Sequence, residues 1–257
     1  MKRAFFAAVM WLVALMVASI ALAEAASPAE AGAAIQATRD ARMQEMTGRM
    51  TRLQSQLQQL NLRLVPMQVP QGYKELGTGL GIACDKLREA DRHLQQLRDD
   101  PAFATRPDRN LVAERLQDRL YVMNRELEES HATLQRLVAM PVRPGSPLDA
   151  ADQMIRAQHQ QEVEQVQKRV DERLKALDAW SKGDGVVVPA KDLVRDAMLI
   201  RDRMRQLTQS CDKLAEDSQI ELDRDRVREI DRVRDRVQVM LREVEELADA
   251  LERGVTA

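Results

Sequence analysis

Apolar positions along this chain recur at alternating steps of three and four. Met43, Met46, Met50, Leu53, Leu57, Leu60 and Leu64 follow that rule without a break. Such spacing puts one stripe of side chains on one face of a helix that packs against other helices. The stripe predicts a first helix over about residues 35–65, stopped by Pro66 and Pro70. Gly72, Gly77, Gly79 and Gly81 follow closely, and that density predicts a loop from Gln71 to Gly81. A second helix is predicted from Ile82 to Arg98, with Cys84, Leu87, Leu94 and Leu97 on its apolar face and Asp99-Asp100-Pro101 as its break. A third begins near Pro107 and carries Leu116, Leu120, Met123, Leu127, Leu134 and Leu137, with Ser130 at one seam position.

Pro141 to Pro147 is the clearest linker. Ser146 is placed to cap the next helix, with Pro147 in its first turn. That fourth helix carries Ile155, Val163, Val166, Val170, Leu174, Leu177 and Trp180, and Gly183-Asp184-Gly185 ends it. A fifth, from near Pro189, carries Leu193, Ala197, Ile200, Met204, Leu207, Cys211 and Leu214. A sixth carries Ile230, Val233, Val237, Met240, Val244, Leu247 and Leu251. The fifth and sixth have no Gly or Pro between them, so one continuous helix stays open. The seam nevertheless loses register between Leu214 and Val227, and Ser218 to Glu221 has the spacing of a capping box.

Two blocks recur in the same order. Cys84-Asp85-Lys86-Leu87 returns as Cys211-Asp212-Lys213-Leu214, and the stretch Arg119 to Glu129 returns, diverged, as Arg236 to Glu246. Val69-Pro70 has a counterpart in Val188-Pro189. Ordered recurrence is the mark of an internal duplication. The expected fold is therefore all-α, with two tandem copies of a three-helix antiparallel coiled-coil-like unit packed side by side. The layout of each copy is similar in outline to spectrin-type repeats. The units span 34–140 and 148–254, joined by the linker at 141–147 and preceded by a flexible leader at 24–33.

The first residues depart from this pattern. Lys2 and Arg3 precede an uncharged run from Ala4 to Ala23 that ends Ala21-Leu22-Ala23. This is the layout of a secretory signal peptide over residues 1–23, cleaved after Ala23. The run is also long enough to stay as a membrane anchor, the one route by which a membrane would be involved. A periplasmic or secreted protein is expected, with inner-membrane anchoring as the alternative.

Composition supports packed helices. Charged residues make up 31% of the 257 residues and aromatics 3%, a balance typical of long helices laid side by side. Cleavage would remove two basic residues and no acid, taking the net charge from −2 to −4. That excess is small, and the dense run from Asp223 to Arg236 mixes both signs almost evenly. We read the run as a solvated, salt-bridge-laced face and expect no nucleic-acid partner.

Candidate chemistry is sparse. Two cysteines in an oxidising compartment usually pair, so a Cys84–Cys211 disulfide is expected, with buried free thiols or an intermolecular bridge as alternatives. The bond requires Cα atoms within about 7 Å. Met43, Met46, Met50, Met123, Met204 and Met240 occupy seam positions where Leu would also fit, and core filling accounts for them. The histidines are His93, His131 and His159, and Glu128–His131 is the single Glu-x-x-His of a di-iron bundle, which needs two. No resident cofactor or metal is expected. Gly77, Gly79 and Gly81 miss the spacing of a phosphate loop. No nucleophile, base and orienting group stand together in the sequence. A non-enzymatic interaction protein of the cell envelope is the expectation: a scaffold, adaptor or chaperone-like clamp with protein partners, self-association left open. The alternative is a periplasmic metal- or haem-binding bundle using Met and His ligands.

Overall fold

A computed structural model describes residues 28–67, 69–105, 108–140, 150–183, 186–217, 220 and 223–255. Among these residues every regular element is a helix and no strand occurs. In chain order they are α1 (Pro28–Leu64), α2 (Gln71–Asp99), α3 (Pro101–Ala104), α4 (Arg109–Ala139), α5 (Ala150–Ser181), α6 (Val188–Ala215) and α7 (Arg224–Val255). The signal-like segment, the residues up to Ser27, the Pro-rich linker with Ser146 and the Ser218 capping box lie outside the described residues. The chain divides into two compact units, residues up to Met46 and Thr47–Ala257. In the first, α1 is already helical from Pro28, within the stretch 24–33 expected as a flexible leader. Ala and Glu dominate that stretch, and both favour helix.

In the second unit the predicted seams are the core. Met50, Leu53, Leu57, Leu60 and Leu64 of α1, Leu116, Leu120, Met123 and Leu127 of α4, and Ile230, Val233, Val237 and Met240 of α7 are all at most 2% exposed. Each such side chain contributes roughly 1.5–3 kcal/mol by leaving water.

The largest departure from expectation is the start of α2. Gln71 to Gly81 is helix and not loop. Gly72 and Gly79 are seven residues apart, hence on one face, and that face meets α6. A Cβ at Gly72 would stand 2.7 Å from Leu214 Cδ1, and one at Gly79 would stand 2.8 Å from Leu207 Cδ2. The glycines are thus sites of close helix approach, where missing side chains let two backbones draw together. The packing they permit offsets their poor helix propensity of about 1 kcal/mol each.

Helix boundaries elsewhere have local causes. Asp100 accepts from the backbone N–H of Ala102 at 2.9 Å and of Phe103 at 3.3 Å, and so starts α3 with Pro101 in its first turn. Asp223 does the same for α7, accepting from Arg226 N–H at 3.3 Å. The fifth and sixth predicted helices are separate, α6 and α7, with a turn at Ile220 between them.

Four helices of similar length carry the main contacts. The most extensive interface joins α2 to α6, the next joins α4 to α7, and α2–α4 and α6–α7 complete a ring. Residues 47–64 of α1 reach both α2 and α4: Asn61 Nδ2 donates to Gly77 O at 3.2 Å, and Arg49 donates to Glu128. The α5 helix packs on α7 and, over a smaller area, on α6. The α2–α6 pair is antiparallel, since Gly72 lies against Leu214 and His93 bonds Asp196. The α4–α7 pair is antiparallel too, with Arg119 beside Glu243 and Arg136 beside Glu229.

Candidate functional site

The cysteines are not bonded. Both Cys84 and Cys211 are free and buried. The geometry of the α2–α6 pair explains the correction. With Gly72 opposite Leu214 and Gly79 opposite Leu207, Cys211 stands level with about residue 75. That is about nine residues, or roughly 13 Å, along the helix from Cys84, well beyond the ~7 Å a disulfide spans. Cys84 turns instead toward α1, where its thiol donates to Met50 O at 3.7 Å. Burial pushes both thiols up to about 12, so neither is a nucleophile near neutral pH.

The three histidines are scattered. His93 Nδ1 lies 2.5 Å from Asp196 Oδ2 across the α2–α6 interface. His131 is buried on α4 beside Gln135, and burial holds its pKa below the ordinary value. His159, on α5, lies 3.2 Å from Asp235 of α7. Met50, Met123, Met204 and Met240 are fully buried among seam residues. Glu128, of the Glu-x-x-His pair, is engaged by Arg49 and Asn124. Among the described residues no three His, Cys, Asp or Glu side chains gather as a metal site.

The His93–Asp196 pair opens onto a cleft of about 410 Å³ between α2 and α6, rimmed by Lys86, Glu89, Arg92 and Arg195. Asp196 is 1% exposed. Burial raises its pKa and the hydrogen bond from His93 opposes that rise. This is the base-and-orienter half of a hydrolytic site. No hydroxyl or thiol lines the cleft, and the pair joins α2 to α6.

The charge run from Asp223 to Arg236 corrects a second expectation. It is laced with ion pairs, Glu229–Arg232 among them, but it is not solvated throughout. Arg226 is 5% exposed and donates to Met140 O at 2.7 Å. Arg234 is 1% exposed and bridges Asp231 at 2.6 Å and Asp212 at 2.5 Å. Burial raises the pKa of Asp231, and Arg234 opposes the rise. Sequence reading missed these two arginines, although a signal exists. Arg226 stands one residue before the buried Val227, and Arg234 one residue after the seam residue Val233, so both flank the edge of the α7 stripe.

Arg234 forms the floor of the feature best suited to recognition, the groove of α6 and α7 that α5 occupies. Val163, Val166, Val170, Leu174 and Leu177 of α5 are at most 3% exposed there. Along the α7 edge run Arg156–Asp231 at 3.8 Å, His159–Asp235 at 3.2 Å and Arg169–Glu245 at 3.5 Å, and Arg173 pairs with both Asp249 and Glu252. Along the α6 edge Asp171 meets Arg201 at 2.6 Å and also Arg205. A cleft of about 450 Å³ separates α5 from α6 around Gln160, Gln167, Arg205 and Arg234. The first turns of α5 bury nothing: no described side chain from Gln153 to Glu162 is buried, and Met154 and Ile155 are 74% and 54% exposed. The predicted seam residue Ile155 therefore lies off the core. Leu62 and Val65, at the other end of the α1 seam, are also exposed. No helix among the described residues is long and apolar enough to cross a membrane.

No protein-family model, curated protein or solved structure matches the chain.

Proposed function

We propose that the protein is a non-enzymatic helical interaction protein of the cell envelope, acting as a scaffold, adaptor or chaperone-like clamp. The observation that carries this reading is the groove of α6 and α7. It holds a long amphipathic helix between two rows of charge, while the first turns of that helix present Met154 and Ile155 to solvent. Met154 and Ile155, adjacent and exposed on an otherwise charged helix, offer apolar surface to a protein contact. The signal-like first 23 residues support export.

The architecture proposed with it is a duplication: two three-helix units, 34–140 and 148–254, lying side by side. Reciprocal contacts support it. Arg119 reaches Glu243 at 3.1 Å and Glu246 at 3.9 Å, while Arg236 reaches Glu126 at 3.8 Å and Glu129 at 3.7 Å. Arg119 corresponds to Arg236, Glu126 to Glu243 and Glu129 to Glu246 in the recurring block. Each half offers the other the same arginine and receives it on the same two acids, the pattern of an isologous interface.

The test is affinity capture from envelope extracts with the wild-type chain and with Met154→Glu/Ile155→Glu. A protein held by the first and lost with the second supports the reading. Turnover of a substrate, or a cofactor in the protein purified from cells, would sink it.

A further inference from the structure

We infer that the cleft between α5 and α6 is a binding site for a small molecule that carries an uncharged amide group. The proposed duplication supplies an internal comparison. In the first half the matching place is closed. Gln54 of α1 donates to Asp85 of α2 at 2.5 Å and accepts from Arg88, so the polar groups there satisfy one another. The counterparts in the second half are Gln167 and Asp212, since Leu53-Gln54 matches Val166-Gln167 and Asp85 matches Asp212 in the recurring block. Two substitutions part them. The block continues with Arg88 in the first half and Ala215 in the second, which removes the donor to the glutamine. Gln117 in the first half is matched by Arg234 in the second, and Arg234 takes Asp212 at 2.5 Å. Gln167 is left on the wall of a cleft of about 450 Å³. That volume lies in the range of small-molecule sites, roughly 300–1,000 Å³.

The floor and walls state what fits. Arg234 is 1% exposed, and its two terminal nitrogens bridge Asp231 and Asp212. Its Nε is buried as well and, among the described residues, meets no acceptor. A buried donor left unmet is costly, so this one calls for an acceptor. The acceptor has to be uncharged. Two carboxylates already surround the one guanidinium, and a third would be repelled by both. Gln160 and Gln167 of α5 and Gln209 of α6 line the walls with amides, each able to donate and to accept. The remaining charges of the lining, Arg205 and Glu164, are of opposite sign. An amide meets all of these demands. Its C=O accepts from Arg234 Nε, its N–H donates to a glutamine carbonyl, and Val163 offers apolar contact beside them.

The probe is N-acetylglutaminamide, titrated into the exported chain, residues 24–257, labelled with ¹⁵N. The readout is the Nε–H resonance of Arg234. The probe should shift it along a saturating curve, and sodium acetate should bind at least tenfold more weakly. Gln160→Leu/Gln167→Leu, at two half-buried positions of α5, should weaken the probe at least tenfold with the melting temperature of wild type retained. Gln209→Leu, at an exposed position of α6, should weaken it in the same direction and serves if the double variant does not fold. A shift that grows linearly without saturation is that of solvent in the cleft and overturns the inference. Acetate that binds as tightly as the amide overturns it too, as does a folded variant that binds as tightly as wild type. No cellular partner enters the experiment, so failure to capture one from extracts bears on the proposed function alone.

Discussion

Side chains in the interior set the chemistry that this molecule can and cannot do. Cys84 and Cys211 carry thiols pushed up to about 12 by burial. At pH 8 neither should react with Ellman's reagent over an hour in the native protein, and both should react at once in 6 M guanidinium; fast native reaction would count against the packing described. His131 has its pKa lowered by burial. As pH falls below the ordinary histidine value, the unfolded chain takes up a proton that the folded one resists, so stability is lost on the acid side and recovered as pH rises. His131→Gln should make the fall in Tm between pH 7 and 5.5 smaller by about 2 °C. Arg234 is neutralised by Asp212 and Asp231. Arg234→Ala should cost about 3 kcal/mol in urea unfolding by stranding those acids, and Arg234→Met less, because its chain refills the space. These environments were largely hidden in the sequence. A charge run states its signs but not which arginine turns inward, and a cysteine pair states its count but not its level along two helices.

Helices are where the sequence was most legible. Steps of three and four located the seams of the long helices, and prolines and aspartates located most of their ends. The failure at Gln71 to Gly81 is instructive. Glycine density suggested a loop, but Gly72 and Gly79 share a face seven residues apart, and it is the opposing Leu214 and Leu207 that make a bare backbone favourable. No local reading contains the partner helix. Gly79→Leu should therefore destabilise the fold by about 1–3 kcal/mol through overpacking, measured by chemical denaturation, whereas a loop position would tolerate it. The N-terminal stretch of α5 failed in the opposite direction. Ile155 belongs to the stripe by spacing, yet no described side chain from Gln153 to Glu162 is buried.

Across the whole molecule, the pairing of α2 with α6 and of α4 with α7 decides how the parts hold together. The reciprocal charges at Arg119 and Arg236 make a direct test. Reversing both, Arg119→Glu/Arg236→Glu, sets acid against acid at two places and should lower stability by about 1–2 kcal/mol, given partly exposed pairs. Adding Glu243→Arg and Glu126→Arg should recover most of that loss in thermal melts, and recovery with only one of the added changes would show that the two places are not equivalent. The recurring blocks motivate the proposed duplication, but spacing alone did not say that the helices carrying them, α2 with α6 and α4 with α7, would run antiparallel. Hence the cysteines, equivalent in sequence, end far apart in space. One consequence reaches past stability. Had the ancestor of the duplication proposed here been a pair of identical chains, any substitution facing the twofold axis would have appeared twice, on both sides at once. In this chain Gly72 and Gly79 stand on one side and Leu214 and Leu207 on the other, a fit between unlike surfaces. Joining the halves in one polypeptide lets each be revised without revising its twin, so a glycine on one side can be matched to a leucine on the other without either appearing on both.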